Sequence, residues 1–177
     1  MNDPSAPPPF GAPPYPSDAP ADRAGTIPAL WTRLVARLFD ELILAVPRLA
    51  LSLPYLTIVD DKTIEMDLPK WAVVLTVVVP MVYEFVFLAW RGATPGKSLF
   101  GIAVRNASDT GRIVPYQAGL RVVVPALGAA LALAMPSADT AALFQLITPI
   151  VYASVLWDPR RRGWHDKAAG TIVLRTR

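Results

Sequence analysis

The chain has 177 residues, of which 53% are hydrophobic, with 19 prolines, one histidine, no cysteine and a net charge of +3. Its mean hydropathy of +0.38 is typical of a membrane protein rather than of an ordinary soluble domain. The lack of cysteine excludes a disulfide framework, a thiolate nucleophile and iron–sulfur ligation.

The first 28 residues form a proline-rich segment. It holds nine of the 19 prolines and few large aliphatic residues, so it cannot bury a core and is predicted to be a disordered cytoplasmic tail rich in polyproline II conformation. Before residue 23 it lacks the basic and apolar regions of a secretory signal. The tail is either a solvated spacer or a ligand for a cytoplasmic proline-binding module.

Residues 29–177 are predicted to form one transmembrane domain. They contain four apolar segments, each with the roughly 17–25 residues that cross a hydrocarbon core. The expected helices cover about 31–58, 71–90, 116–135 and 140–157. Each contains proline, which membrane helices tolerate. The expected fold is an all-α membrane protein, a four-helix transmembrane bundle with small cytoplasmic β elements.

Basic residues indicate the orientation of the bundle. Arginine and lysine cluster before the first helix, between the second and third, and after the fourth, whereas residues 60–70 carry four acidic residues against two lysines. Cytoplasmic loops of membrane proteins are enriched in arginine and lysine, so both termini are expected to be cytoplasmic. Tryptophan lies at the expected helix ends, as in an interfacial belt; these residues are Trp31, Trp71, Trp90 and Trp157.

Charged residues inside the apolar segments are predicted to form one polar cluster. Asp40, Glu84 and Arg121 each lie roughly 7–10 Å from the cytoplasmic side at 1.5 Å per helical residue. Arg121 can therefore compensate a carboxylate, and Arg37 can contact Asp40 or Glu41. The cluster either fixes the register and rotation of the helices or serves as an ion or proton site.

Two further arginines of the first helix need partners elsewhere. Arg33 and Asp40, seven residues apart, share one helical face without contacting each other. Arg48 lies near the outer half, where it is expected to snorkel or to pair with the acidic outer loop.

The loop after the second helix contains Gly92, Thr94, Gly96, Lys97 and Gly101. Its spacing does not match a phosphate-binding loop, which argues against nucleotide hydrolysis. The loop is expected to lie on the inner membrane surface with Lys97 toward phosphate headgroups and the two residues at 99 and 100 toward acyl chains. A strand at 101–104, a turn at 106–111 and a return strand at 112–114 are expected to follow.

The C-terminal segment is predicted to add a strand at 171–174, paired with 102–104 in a small cytoplasmic sheet. Asp166 is the expected partner of Arg33 or Arg37 at the membrane surface. His165 beside it suggests catalysis, but the chain has no second histidine, no cysteine and no nucleophile elbow, so no enzyme, metal site or cofactor is expected. A basic run is the expected site for anionic lipid headgroups; it consists of Arg160, Arg161 and Arg162.

Three motifs resemble those of the RDD family of small bacterial membrane proteins, named for one arginine and two aspartates. They are Arg33-x-x-Ala36-x-x-x-Asp40, Gly92-x-Thr94-x-Gly96-Lys97-x-Leu99-x-Gly101-Ile102-x-Val104 and His165-Asp166-Lys167-x-Ala169-Gly170-Thr171-x-Val173. Pro95 stands where the family usually has leucine. The resemblance implies that Arg33, Asp40 and Asp166 are the signature residues and that the protein lies in the bacterial inner membrane. The proline-rich head is similar to that of actinobacterial members.

Two functions remain open from the sequence. One is a noncatalytic structural or accessory membrane protein. The alternative is a cation/proton antiporter or transporter subunit that uses Asp40 and Glu84, an activity attributed to some members of the family that the chain resembles. The expected partners are anionic lipid headgroups and a second copy of the chain or another membrane protein, with no nucleic acid.

Overall fold

The computed structural model describes residues 24–60, 63–135 and 137–177. The predicted disordered tail lies outside the described residues up to residue 23. The described chain is mostly helical, with two small sheets. Its elements are α1 (Leu30–Ser52), β1 (Leu56–Asp60), β2 (Thr63–Met66), α2 (Lys70–Arg91), α3 (Pro95–Leu99), β3 (Ile102–Asn106), α4 (Pro115–Leu133), α5 (Ala138–Gln145), α6 (Ile147–Ala153), α7 (Trp164–Ala168) and β4 (Thr171–Arg175).

Three helical stretches are long and apolar enough to cross a membrane. They are α2, α4 and the stretch Asp139–Trp157, which runs through α5, α6 and a short 3₁₀ turn. Helix α1 has 23 residues but also five charged ones, so its composition differs from that of the other three. The structure thus supports three of the four predicted spans by length and composition, with α1 as a long charged helix beside them.

The first helix is shorter than predicted. It ends at Ser52, and a 3₁₀ turn at Leu53–Tyr55 leads into an antiparallel hairpin of β1 and β2, in place of the helix expected to residue 58. Pro54 lacks the backbone donor that a continuing helix needs. The following residues 57–59, Thr-Ile-Val, are β-branched and favour a strand.

The predicted pairing of the two later strands is confirmed. β3 and β4 are antiparallel, with Ile102 opposite Arg175 and Asn106 opposite Thr171. The return strand expected at 112–114 is wrong, because this segment has no strand structure. On the edge of β3 away from β4, Val104 N donates a hydrogen bond to the Gly92 carbonyl at 2.7 Å, so the loop after α2 occupies the place of a return strand.

The buried apolar core lies where this sheet meets the helices. Its members come from α1, α2, α4, β3, β4 and the loop that precedes α4. They are Ala36, Leu88, Ile102, Val104, Ile113, Ala118, Val122 and Val173. Many large apolar side chains of the helices instead face outward, as expected for surfaces in contact with lipid. The loop after α2 and the C-terminal segment therefore lie together at the end of the helices that carries β3 and β4, which we call the sheet end.

Candidate functional site

Asp40 lies in the middle of α1 and is only 1% exposed. Its carboxylate accepts hydrogen bonds from the Tyr83 hydroxyl at 2.9 Å, the Thr94 hydroxyl at 2.5 Å and Gly96 N at 2.9 Å. Of the two contacts predicted for Arg37, with Asp40 or with Glu41, the structure has the one with Glu41, and among the described residues every partner of Asp40 is a neutral donor. Such hydrogen bonds stabilise a buried carboxylate without a counter-charge.

The loop after α2 is shaped to deliver two of these donors. Gly92 ends α2 in the left-handed region at φ +70°, a conformation that glycine adopts without steric cost. Thr94 then caps α3 by accepting a hydrogen bond from Lys97 N at 3.4 Å. A Cβ on Gly96 would clash with the Ala36 carbonyl and lie 2.9 Å from the Asp40 carboxylate. The motif glycine therefore lets α3 pack directly on α1.

Gly101 ends the same loop. Its φ of +61° lies in the left-handed region, so the chain can reverse there into β3.

Glu84 of α2 is the centre of an ion-pair network. Its carboxylate lies 3.0 Å from Lys97 Nζ and 3.0 Å from Arg37 Nη1, and Arg37 also pairs with Glu41 at 3.0 Å. The expectation that Lys97 faces lipid headgroups is wrong, because the buried carboxylate draws the ammonium group inward. Burial lowers the pKa of Lys97, and the nearby Glu84 carboxylate opposes that shift.

Arg48 also pairs differently from the expectation. Among the described residues its Nη1 atom lies 2.8 Å from Glu41 Oε2 on the same helix, a partner that the sequence analysis did not name. Residues seven apart on a helix share a face, and both side chains are long enough to meet.

Asp166 forms an ion pair with Arg121 of α4, whereas the sequence had suggested Arg33 or Arg37. Arg121 Nη1 also donates to the Thr171 hydroxyl at 3.0 Å, and Asp166 Oδ2 accepts from Gly163 N at 3.1 Å. The reason is topological, since α7 packs across α4. The interaction thus joins the C-terminal segment to the helices through Arg121.

Arg33 instead binds backbone carbonyls of the C-terminal segment. Its guanidinium donates to Arg161 O, and its Nη2 atom donates to Val173 O at 3.2 Å. Arg161 in turn donates to Pro28 O at 3.2 Å. In the described part of the chain no carboxylate pairs with Arg33, which leaves it as a cation held by neutral acceptors.

Comparison with known proteins identifies the family of the chain. A family model described as the RDD family matches residues 27–170. The chain belongs to the RDD family. It is therefore a membrane protein, in agreement with its apolar helices. The same comparisons found no matching curated protein and no matching solved structure.

The structure thus brings all three RDD motifs together at the sheet end. The arginine of the first motif binds the C-terminal segment, its aspartate binds the loop motif, and the aspartate of the third motif binds α4. Sequence reasoning missed Tyr83 and Thr171, which supply hydroxyl groups to Asp40 and Arg121. Thr171 lies within the third RDD motif, whereas nothing in the sequence marks Tyr83.

His165 is buried beside the RDD aspartate. Its Nε2 atom lies 3.6 Å from Asp166 Oδ2, and its ring centroid lies 4.9 Å from that of Tyr152. Burial holds the pKa of His165 well below its usual range, so the imidazole is neutral at pH 7. Among the described residues no group of three or more histidine, aspartate or glutamate side chains is placed to hold a metal.

The basic run after the last apolar stretch is only partly exposed. Arg160 is exposed, whereas Arg161 and Arg162 are half-buried. Arg162 Nε lies 3.5 Å from Asp158 Oδ2, and Lys167 Nζ lies 2.9 Å from Asp158 Oδ1. The hydrogen bond from Lys167 is the main reason that the pKa of Asp158 is lowered to about 2. Two of the three arginines therefore already have partners within the RDD domain.

Proposed function

We propose that this RDD protein is a noncatalytic structural or accessory membrane protein. The polar cluster fastens the loop after α2 and the C-terminal segment to the helices. The main observation behind this proposal is that three buried carboxylates bind groups from other parts of the chain. Asp40 accepts from the loop after α2, Glu84 pairs with Lys97, and Asp166 pairs with Arg121 of α4. Buried carboxylates whose partners come from other segments hold those segments in one arrangement.

Cation/proton antiport at Asp40 and Glu84 has less support. A hard cation needs several oxygen ligands, but both oxygens of Asp40 accept hydrogen bonds and both oxygens of Glu84 pair with cationic groups. Binding a transported cation at either carboxylate would require breaking these contacts. The geometry favours a role in which the carboxylates stay engaged.

The setting proposed for this role is the bacterial inner membrane, with several passes and both termini in the cytoplasm. The basic connecting segments support that orientation. In it, the sheet end faces the cytoplasm, where Arg160 and its neighbours contact anionic headgroups and the proline-rich tail reaches a cytoplasmic module. A second copy of the chain or another membrane protein is the proposed lateral partner. Reporter fusions at residue 61 and at the C-terminus test this orientation, and a periplasmic C-terminus would contradict it.

The decisive experiment compares Asp40→Asn with Asp67→Asn, whose aspartate is exposed. Asn weakens up to three charge-assisted hydrogen bonds by about 1 kcal/mol each, so Asp40→Asn should lower the free energy of unfolding by about 3 kcal/mol. Asp67→Asn should change it little. Wild-type protein in proteoliposomes should give no pH-dependent cation flux above protein-free vesicles. Flux that Asp40→Asn abolishes while the protein stays folded would establish the transporter instead.

A further inference from the structure

A cavity of about 520 Å³ opens at the sheet end between the start of α1 and the end of the last apolar stretch. This volume lies within the range of small-molecule sites in proteins. Its rim is apolar, and Trp31, Leu34 and Leu156 are among its exposed members, at 74%, 46% and 64%.

The inner wall of the cavity is strongly charged. Four cationic side chains line this wall with two carboxylates, and a third carboxylate, that of Glu41, pairs with one of the cations from outside the lining. This leaves an excess of one positive charge because His165 is neutral. The cations are Arg33, Arg37, Lys97 and Arg121, and the acids are Glu84 and Asp166. Arg33 contributes most to the excess, since within the described ranges its hydrogen bonds go to carbonyl oxygens and to no carboxylate. A cavity with this charge favours an anion.

Two donors of this wall lack acceptors. The Nε atoms of Arg33 and Arg121 are buried without a hydrogen-bond partner in the part of the chain that the structure describes, and Arg121 is only 4% exposed. An unsatisfied buried donor costs free energy, and more so on a charged group. Arginine pairs well with the oxygens of phosphate, which accept several hydrogen bonds at once.

The rim indicates where the cavity lies relative to the bilayer. Trp31 on the rim and Trp157 next to the rim residue Leu156 are 74% and 70% exposed. Exposed tryptophans of membrane proteins concentrate at the level of the lipid headgroups. The charged wall therefore lies within reach of a headgroup, and the apolar rim lies beside its acyl chains.

We propose that this cavity binds a phosphate group that carries acyl chains, the headgroup of an anionic glycerophospholipid. The phosphate lies against Arg33 and Arg121, and an acyl chain leaves past Leu34 and Leu156. This site is separate from the exposed Arg160 surface. The proposal does not depend on the structural role above, because a protein with either function can hold such a lipid.

The test uses the full chain in nanodiscs of phosphatidylcholine that contain a photoactivatable phosphatidylglycerol. Cross-linked peptides are identified and quantified by mass spectrometry. Ala153→Trp fills the cavity without changing its charge, and Ala142→Trp is the matched control at an exposed position of the same apolar stretch. Arg33→Gln removes one charge, and Arg160→Gln tests the surface site.

Cross-links should fall on residues 30–37 and 153–156. Ala153→Trp and Arg33→Gln should each reduce them about tenfold, as expected for the loss of one charge-assisted interaction or of the space for the ligand. Ala142→Trp and Arg160→Gln should leave them unchanged. Millimolar inorganic phosphate should not compete, because it lacks the acyl chains.

Three outcomes would overturn the proposal. One is unchanged labelling of folded Ala153→Trp, which keeps the test valid even if Arg33→Gln does not fold. Another is equal labelling by a photoactivatable phosphatidylcholine, which would remove the selectivity for an anionic headgroup. The third is full competition by inorganic phosphate, which would make the site one for free phosphate.

Discussion

Gly96→Ala should separate α3 from α1 and destabilise the protein. The new Cβ would clash with the Ala36 carbonyl, a backbone atom that cannot rotate away, and would lie 2.9 Å from the Asp40 carboxylate. Overpacking costs about 1–3 kcal/mol. The displaced loop also loses the 2.9 Å hydrogen bond from Gly96 N to Asp40, and a hydrogen bond to a charged acceptor contributes about 1.5–3 kcal/mol. The sum is about 2.5–6 kcal/mol.

The assay is thermal unfolding of the full chain in detergent micelles, followed by tryptophan fluorescence. At about 2–4 °C per kcal/mol for a protein of this size, the midpoint should fall by about 5–24 °C. Gly119→Ala is the matched control, because its Cβ would lie 3.9 Å from the Phe85 ring and alanine favours a helix. A Gly96→Ala midpoint equal to that of Gly119→Ala would refute the close packing of α3 on α1.

Three further predictions use the same assay. Glu84→Gln leaves Lys97 without its buried counter-charge and should cost about 3–5 kcal/mol; addition of Lys97→Met should recover part of that loss, and no recovery would contradict the pairing. Gly128→Ala would place a Cβ 2.6 Å from a backbone carbonyl of α5 and should cost about 1–3 kcal/mol, so an unchanged midpoint would refute this close approach. Burial in the folded state lowers the pKa of His165 well below its ordinary value of 6.5. As the pH falls, His165 therefore binds a proton in the unfolded chain before it does so in the folded protein. The contribution of His165 to stability should therefore be full well above pH 6.5 and should decrease as the pH falls below 6.5, and His165→Gln should abolish that decrease.

The sequence indicates many of the residues that belong to the site, but it does not indicate which of their side chains contact each other. Helix rise alone predicts one layer for Asp40, Glu84 and Arg121. In the structure Glu84 and Arg121 line the same cavity, while Asp40 binds the loop after α2. Their partners were not predictable. Helix rise gives the depth of a residue, whereas its contacts depend on how far each helix is rotated and on which loop folds back over it.

The position of Lys97 is a second feature that the sequence alone does not predict. Its loop is amphipathic in sequence, which predicted a surface position, yet the side chain is buried against Glu84. The lysine of a short apolar and basic segment can pair either with a lipid phosphate at the surface or with a buried carboxylate. The sequence does not show that Glu84 lies close enough to Lys97 for the second of these pairings.

The sequence by itself determined the class of the protein, its long apolar helices, the pairing of β3 with β4 and its RDD motifs, because these follow from composition, local periodicity and residue spacing. The tertiary structure decided that Arg121 pairs with Asp166, that neutral donors hold Asp40 and that a charged cavity opens beside α1. These features join elements far apart in the chain, so they depend on packing and on the burial of each charge rather than on any local pattern.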